Sequence, residues 1–213
     1  VRLASGGYIG GGLYHSQNLE GWLTTLPGIR IVVPAFADDA AGLLRTAVRS
    51  PGITVYLEPK FLYNSAAARA RVPSGFAVPF GKARRRREGS DLTILAYGTA
   101  VHLALEAART LAGEGKSIEV LDLRSLVPLD WAAIAISVSK TSRALIVHED
   151  KVHGGFGGEL AARIVSELFP VLDAPVDRVG STFTPVGFHR VLERAILPDV
   201  ARVLNAARKT LAF

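Results

Sequence analysis

His15 is the side chain in this sequence best placed to do chemistry. It follows Gly10-Gly11-Gly12-Leu13-Tyr14 and precedes Ser16-Gln17, so one imidazole stands between a bare backbone and three hydrogen-bonding side chains. Glycines have no Cβ and let a main chain approach a ligand or another chain closely. An imidazole can exchange a proton near neutral pH, which makes general acid–base catalysis the reaction type this stretch suggests. A hydrogen-bonded structural histidine is the plain alternative. A second group, His148, Glu149, Asp150 and His153, gathers where a strand should end and offers metal-ligating atoms, although its spacing follows no zinc template. His153-Gly154-Gly155-Phe156-Gly157-Gly158 could seat an anion at the following helix, or let strand and helix pack closely. Glu58-Pro59-Lys60 also stands at a strand's carboxyl end, where ligands gather in open α/β sheets; a surface ion pair is the simpler reading. His102 reads as a structural residue within a helix, and His189 is open to either role. No Walker loop, no G-x-S-x-G and no H-E-x-x-H is present.

The elements that must position these groups alternate. Asn18 to Leu26 is expected to be a short helix capped by Asn18, with Trp22 on its buried side. Ile29 to Val33 and Ile53 to Leu57 are continuous apolar runs, the mark of strands buried on both faces. Between them Asp38 or Asp39 should open a helix that runs through Arg49. Strand, helix and strand in this order suggest a right-handed crossover. Asn64 to Pro79 has no clear period and reads as a linker. A second alternation follows, with strands at Leu92 to Tyr97, Ile118 to Leu123, Ala144 to His148 and Val176 to Val179. Helices are expected over Ala100 to Ala112, from Asp130 to Lys140, over Glu159 to Phe169 and over Asp199 to Leu211. The pattern predicts two parallel α/β sandwiches, the first of them truncated.

Composition sets the outer bounds. Of 213 residues, 49% are hydrophobic and 21% charged, which suits a globular chain large enough to bury a core. No cysteine is present, which excludes disulfides and Cys-ligated metals. No apolar run approaches the roughly 20 residues that span a bilayer. The chain has no Met and starts Val1-Arg2-Leu3, which reads as part of a longer polypeptide. Net charge is +6, and the block Arg84 to Arg87 contributes to it. No aromatic residues interleave that block, so it reads as a solvated face rather than a nucleic-acid site.

Five stretches occur in one order: GGGLYHSQNLEGWLTTLPGIRIVVP (Gly10 to Pro34), VYLEPKFLY (Val55 to Tyr63), EGSDLTILAYGT (Glu88 to Thr99), IEVLDLRSLVPLD (Ile118 to Asp130) and LIVHEDKVHGGFGGEL (Leu145 to Leu160). As a set they resemble the β subunit of thiamine-diphosphate-dependent 2-oxoacid dehydrogenases, the E1 component. LEPKFLY looks more like branched-chain or archaeal-type members than like typical pyruvate ones. The resemblance implies a truncated pyrimidine-binding domain over residues 1–75 and a transketolase C-terminal-like α/β domain over residues 76–213. It implies decarboxylation of a 2-oxoacid and reductive acylation of a lipoyl group. Thiamine diphosphate with Mg²⁺ would be shared with an E1 α subunit. The other implied partners are a second β subunit in an α2β2 assembly and the E2 lipoyl acyltransferase, the latter near the C-terminal Phe213. No nucleic-acid or membrane partner is implied. The expected location is the cytoplasm, or the mitochondrial matrix in a eukaryote.

By the same resemblance His15 donates or relays a proton near the reacting carbon and the dithiolane, and Tyr14 and Gln17 line the substrate and lipoyl channel. Main-chain oxygens of Ala47, Ser50 and Gly52 match a structural K⁺ site. Ser50 and Gly52 stand where the family commonly has Asp and Asn or Asp. Phe183 replaces an acidic residue, and Arg85 and Arg86 replace apolar residues of an edge strand, which puts that strand's pairing in question. The family's glutamate that protonates the aminopyrimidine, and an aromatic that packs on that ring, would lie before Val1. Activity is therefore expected only with that region and the α subunit. The alternatives are another thiamine-diphosphate transferase of transketolase type and a non-catalytic docking or scaffold subunit.

Overall fold

The computed structural model describes residues 1–213. Two sheets form, and helices pack on them. The first contains β1 (Arg2–Ser5), β2 (Arg30–Val32), β3 (Thr54–Pro59) and β7 (Ser125–Val127), in the order β1-β3-β2-β7. The second contains β4 (Arg84–Arg87), β5 (Leu92–Ala96), β6 (Ile118–Asp122), β8 (Ala144–Lys151) and β9 (Asp177–Ser181), in the order β4-β6-β5-β8-β9. The helices are α1 (Gly12–His15), α2 (Glu20–Leu23), α3 (Ala37–Arg49), α4 (Thr99–Gly113), α5 (Trp131–Thr141), α6 (Phe156–Leu168), α7 (Arg190–Ile196) and α8 (Val200–Leu211).

Strand β5 shows why the second sheet is buried on both faces. Leu92, Ile94 and Ala96 join one apolar cluster with Val101, Ala104 and Leu111 of α4 and Val203 of α8. Leu95 faces the other way, into a cluster with Ile134 of α5 and Leu160 and Ile164 of α6. Side chains alternate along a strand, so a continuous apolar run is what two covered faces require. The second cluster also takes in Ile31, Val33, Val55 and Leu57 of the first sheet, so one core runs through both sheets.

Both sheets are mixed rather than purely parallel. Strand β7 pairs antiparallel with β2, with Ile31 opposite Val127, so the later half of the chain supplies a strand to the first sheet. The arginine strand β4 pairs antiparallel with β6 across a bulge, despite its charge. Its side chains explain this. Arg86 Nε and an Nη of Arg86 donate to Asp122 Oδ2 at 3.0 and 2.8 Å, and the same Nη also reaches Asp39. Arg84 donates to Asp38 at 2.7 Å. Arg124 donates to Asp39 at 2.8 Å and to the carbonyls of Lys82 and Ala83. The Arg86 guanidinium also lies 4.0 Å from the centre of the Phe36 ring. The expectation of a solvated basic face thus fails for Arg86 and Arg124. Both are nearly fully buried and clasp the N-terminus of α3 to the second sheet.

Three other expectations are corrected. Helix α2 is only four residues long, Asn18 does not cap it, and Trp22 is 65% exposed, while Glu20 and Leu23 are buried. Residues 18–26 are held by polar contacts to β8, described below, rather than by an apolar stripe. Helix α3 starts at Ala37 after Phe36, because Asp39 is spent on the arginines and Asp38 accepts from Arg84 and from the next N–H rather than capping the helix. The segment 64–79 does more than link: Phe76 and Val78 pack on α3 at Gly42, and Arg45 donates to the Phe76 carbonyl at 2.8 Å. Strands β1 and β7 and helix α7 are short and carry no local sequence signal.

Candidate active site

The stretch before His15 forms a closed loop. The Gly6 N–H donates to the Gln17 carbonyl at 3.1 Å, bringing the ends of a twelve-residue excursion together. Gly12 takes φ +59, a conformation that L side chains rarely adopt, and a Cβ there would lie 3.1 Å from the Phe188 ring. At Gly11 a Cβ would come within 2.8 Å of the His15 Cβ. Glycines at both positions therefore let the ribbon fold back beneath the imidazole. His15 ends α1 exposed to solvent, and Tyr14 beside it is 88% exposed. The imidazole is accessible from outside the chain, as a proton-transfer group that meets an incoming ligand has to be.

Polar groups from the second half hold this loop. Glu149, buried at the end of β8, accepts from the Gly7 N–H and from Asn18 Nδ2, the latter at 3.1 Å. Glu193 of α7 accepts from the N–H groups of Ile9 and Gly10 at 3.2 and 3.1 Å. Tyr8 donates to the Pro198 carbonyl at 2.7 Å. Lys151 donates to Gln17 Oε1 at 3.2 Å. Gln17 and Lys151 line a cavity of about 300 Å³ beside Leu13, with Phe183, Thr184 and Pro185 as its other wall. Glu193 and Lys151 were not singled out from the sequence. Their partners are more than a hundred residues away, and no local pattern marks them.

The cluster at His148 divides. No three His, Asp or Glu side chains come together in a way that could hold a metal ion. His148 is fully buried, and burial lowers its pKa to about 4, so it stays neutral. It lies against Gly157, where a Cβ would come within 2.4 Å of Nε2. Close packing is thus one task of the glycine-rich turn. Asp150 accepts from the Gly21 N–H at 3.0 Å and pins α2. His153 packs on Phe183 with ring centres 4.3 Å apart. His102 Nε2–H donates to the Ala35 carbonyl, 2.8 Å away, a structural contact. His189 caps α7 by accepting from the Val191 N–H at 3.3 Å. Glu58 pairs with Arg2 and accepts from the Tyr63 hydroxyl at 2.6 Å, which is the ion-pair reading.

Glu20 is fully buried against Asp150, and burial, followed by that neighbouring charge, raises its pKa to about 8. Its folded value lies above the unfolded one. Its contribution is full below the unfolded pKa near 4.5 and is lost as pH rises towards 8. Glu20→Gln is expected to abolish this loss, about 1.4 kcal/mol for each unit of pKa difference. Urea denaturation at pH 5 to 8 should show a flatter profile and higher stability at pH 8 in the variant.

At the turn from α3 to β3, the Ala47 carbonyl accepts from the Ser50 N–H at 3.4 Å. Arg30 donates to the Pro51 carbonyl and to Thr54 Oγ1. A potassium ion at Ala47, Ser50 and Gly52 would share this turn with a guanidinium, and the like charges oppose it.

With this geometry in hand, the comparisons fit one family. Residues 81–203 match the model of the transketolase C-terminal domain, and residues 1–65 match that of the transketolase pyrimidine binding domain. The chain belongs to the transketolase C-terminal domain family. In this member, the transketolase C-terminal domain contributes Glu149, Lys151 and Glu193 to the His15 loop. The chain is 41% identical over 207 residues to a pyruvate dehydrogenase E1 component subunit beta-2, mitochondrial, of Oryza sativa subsp. japonica, covering 96% of this chain and 55% of that one. It is 39% identical over 214 residues to a 2-oxoisovalerate dehydrogenase subunit beta 2, mitochondrial, of Arabidopsis thaliana, covering all of this chain and 59% of that one. Among solved structures, a split-gene transketolase described as an inactive beta4 tetramer aligns with a TM-score of 0.77 at 26% identity, covering all of this chain and 66% of that one. The chain thus spans little more than half the length of the curated relatives it matches. No helix is long and apolar enough to cross a membrane.

Proposed function

We propose that the chain acts as the β subunit of a 2-oxoacid dehydrogenase E1 component, of the pyruvate or branched-chain kind. The observation that carries this reading is His15. It stands exposed on a loop whose backbone is fixed from behind, so its imidazole can face a reaction centre completed by a neighbouring polypeptide. Similarity to β subunits named for both substrates supports it. The domain boundary is placed between residues 75 and 76.

Thiamine diphosphate, when bound, supplies the carbon nucleophile and electron sink for decarboxylation. The residues present fit only one side of such a site. We assign Mg²⁺ and the diphosphate to an E1 α subunit, the partner that the likeness to β subunits implies. His15 meets the lipoyl group of the E2 acyltransferase. There the dithiolane S–S bond breaks, one sulfur takes the acyl carbon, and the imidazolium gives its proton to the other. The acyl carbon is oxidised by two electrons as the disulfide is reduced. Tyr14 and Gln17 line the approach, and Lys151 orients Gln17. The assembly is α2β2, with E2 docking near the exposed Phe213, in the mitochondrial matrix of a eukaryote or the cytoplasm of a bacterium.

The test is reconstitution of the full-length subunit with an α subunit and a lipoylated acceptor. Transfer of an acyl group from a 2-oxoacid to the lipoyl group is the expected result. The likeness to a split-gene transketolase favours a second reading, two-carbon ketol transfer between sugar phosphates. Ketol transfer without lipoyl acylation in the same preparation would favour that reading.

A further inference from the structure

We infer that Glu193 is a positioning residue for His15, acting as a built-in anion seated in the backbone of the active-site loop. The residue is 4% exposed. Oε1 accepts from Ile9 N–H at 3.2 Å and from Gly10 N–H at 3.1 Å, and Oε2 accepts from Gly10 N–H at 3.1 Å. Successive N–H groups converging on one anion form a nest, a concavity that ordinarily captures a bound anion. Here a side chain 183 residues away fills it.

The mechanical link to the imidazole is short. Gly10, which takes φ +67, is followed by Gly11, whose Cα faces the His15 Cβ, and by Gly12, which lies against Phe188 in the segment leading into α7. A ribbon of three glycines has almost no side-chain packing of its own and large backbone freedom. Its conformation must therefore be imposed from outside, and the Glu193 carboxylate is the group that grips it where it begins, at Ile9 and Gly10. Glu149 fixes the ribbon's start at Gly7, and the Gly6–Gln17 bond closes its ends. Neither of these reaches Ile9 or Gly10. Without Glu193 those two N–H groups face a vacant pocket, and the loop that carries His15 loses its hold at Ile9 and Gly10.

The inference rests on the role given to His15, so both residues are tested together in the full-length subunit assembled with its α partner. Glu193→Ala is expected to lower acyl transfer to the lipoyl group about 100-fold, the scale of a small misplacement of a reacting group. Glu193→Gln keeps an acceptor oxygen and should recover most of the loss. Formate at tens of millimolar should enter the vacated nest of Glu193→Ala and restore activity, while chloride at equal ionic strength should not. Hydrogen exchange of the Ile9 and Gly10 amides in the unmutated protein supplies a measurement independent of any variant's folding, and slow exchange is expected. The inference is overturned if these amides exchange like an open loop. It is also overturned if Glu193→Ala transfers acyl groups normally, or if neither glutamine nor formate recovers the loss. A His15→Ala variant with normal acyl transfer would instead remove the functional reading itself.

Discussion

Asp39→Ala is expected to destabilise the protein by about 3–5 kcal/mol, the usual result of removing one partner from a buried charge network. Asp39 is fully buried, and its carboxylate receives Arg124 at 2.8 Å, Arg84 at 3.4 Å and Arg86. Without it, Arg86 keeps Asp122, but the buried Arg124 guanidinium loses the carboxylate it pairs with and one positive charge is left uncompensated. The loss should exceed that of an exposed pair such as Arg163–Glu167, which contributes about 0.3–0.5 kcal/mol. Because the clasp joins the start of α3 to β4 and β6, damage should show first as loosening between the two sheets. Urea denaturation followed by circular dichroism, together with hydrogen exchange at α3 and β4, measures both effects. A loss under about 1 kcal/mol would mean that the arginines find other partners at little cost. A paired substitution of Asp39 and Arg124 by apolar residues should be far milder, since buried ion pairs barely outweigh their desolvation.

His15→Ala is expected to reduce acyl transfer to the lipoyl group by about 10²–10⁴-fold, the usual worth of a positioned general acid. The side chain is exposed and ends a helix of one turn, so its removal vacates no core. Assembly with the α subunit, followed by size-exclusion chromatography, should therefore match that of the unmutated protein. The comparison separates chemistry from architecture. Loss of transfer with intact assembly supports proton donation by the imidazole, whereas intact transfer removes it from the mechanism. Glutamine at this position keeps a hydrogen-bonding group but cannot give up a proton at neutral pH, so His15→Gln should be nearly as impaired as the alanine variant.

The expected fold class stands: residues 1–65 match a pyrimidine binding domain and residues 81–203 a transketolase C-terminal domain, both α/β. The mainly apolar runs Leu92 to Tyr97 and Ala144 to His148 became central strands, because covering both faces of a sheet favours near-continuous hydrophobic residues, with buried Thr93 hydrogen-bonded to the Ser137 carbonyl. Asp130 and Asp199 each cap their helix as a local motif should, accepting from the N–H three residues on. The exposure of His15 came only with the fold, whereas the glycine run before it could be read from neighbours in the chain. These features are local: their causes lie within a few residues of their effects.

Features whose causes lie far along the chain were misread or missed. Arg84 to Arg87 looked like a solvent-facing block because sequence shows charge and not its partners. Asp39 and Asp122 stand 83 residues apart, and only the crossing of α3 over the second sheet brings them to one guanidinium. Trp22 falls on the outside because α2 is set by the Gly21–Asp150 bond and by burial of Leu23 and Glu20, which leaves Trp22 facing solvent. Strand β7 joined a sheet begun by the other half of the chain, which no local pattern could announce. The sequence by itself determined the alternation of strands and helices, the buried strands and the presence of a flexible ribbon with one imidazole. Tertiary structure alone decided which buried carboxylates hold that ribbon. A hydrogen bond needs only that two groups meet in space, and the path of the chain between them leaves no mark at either end.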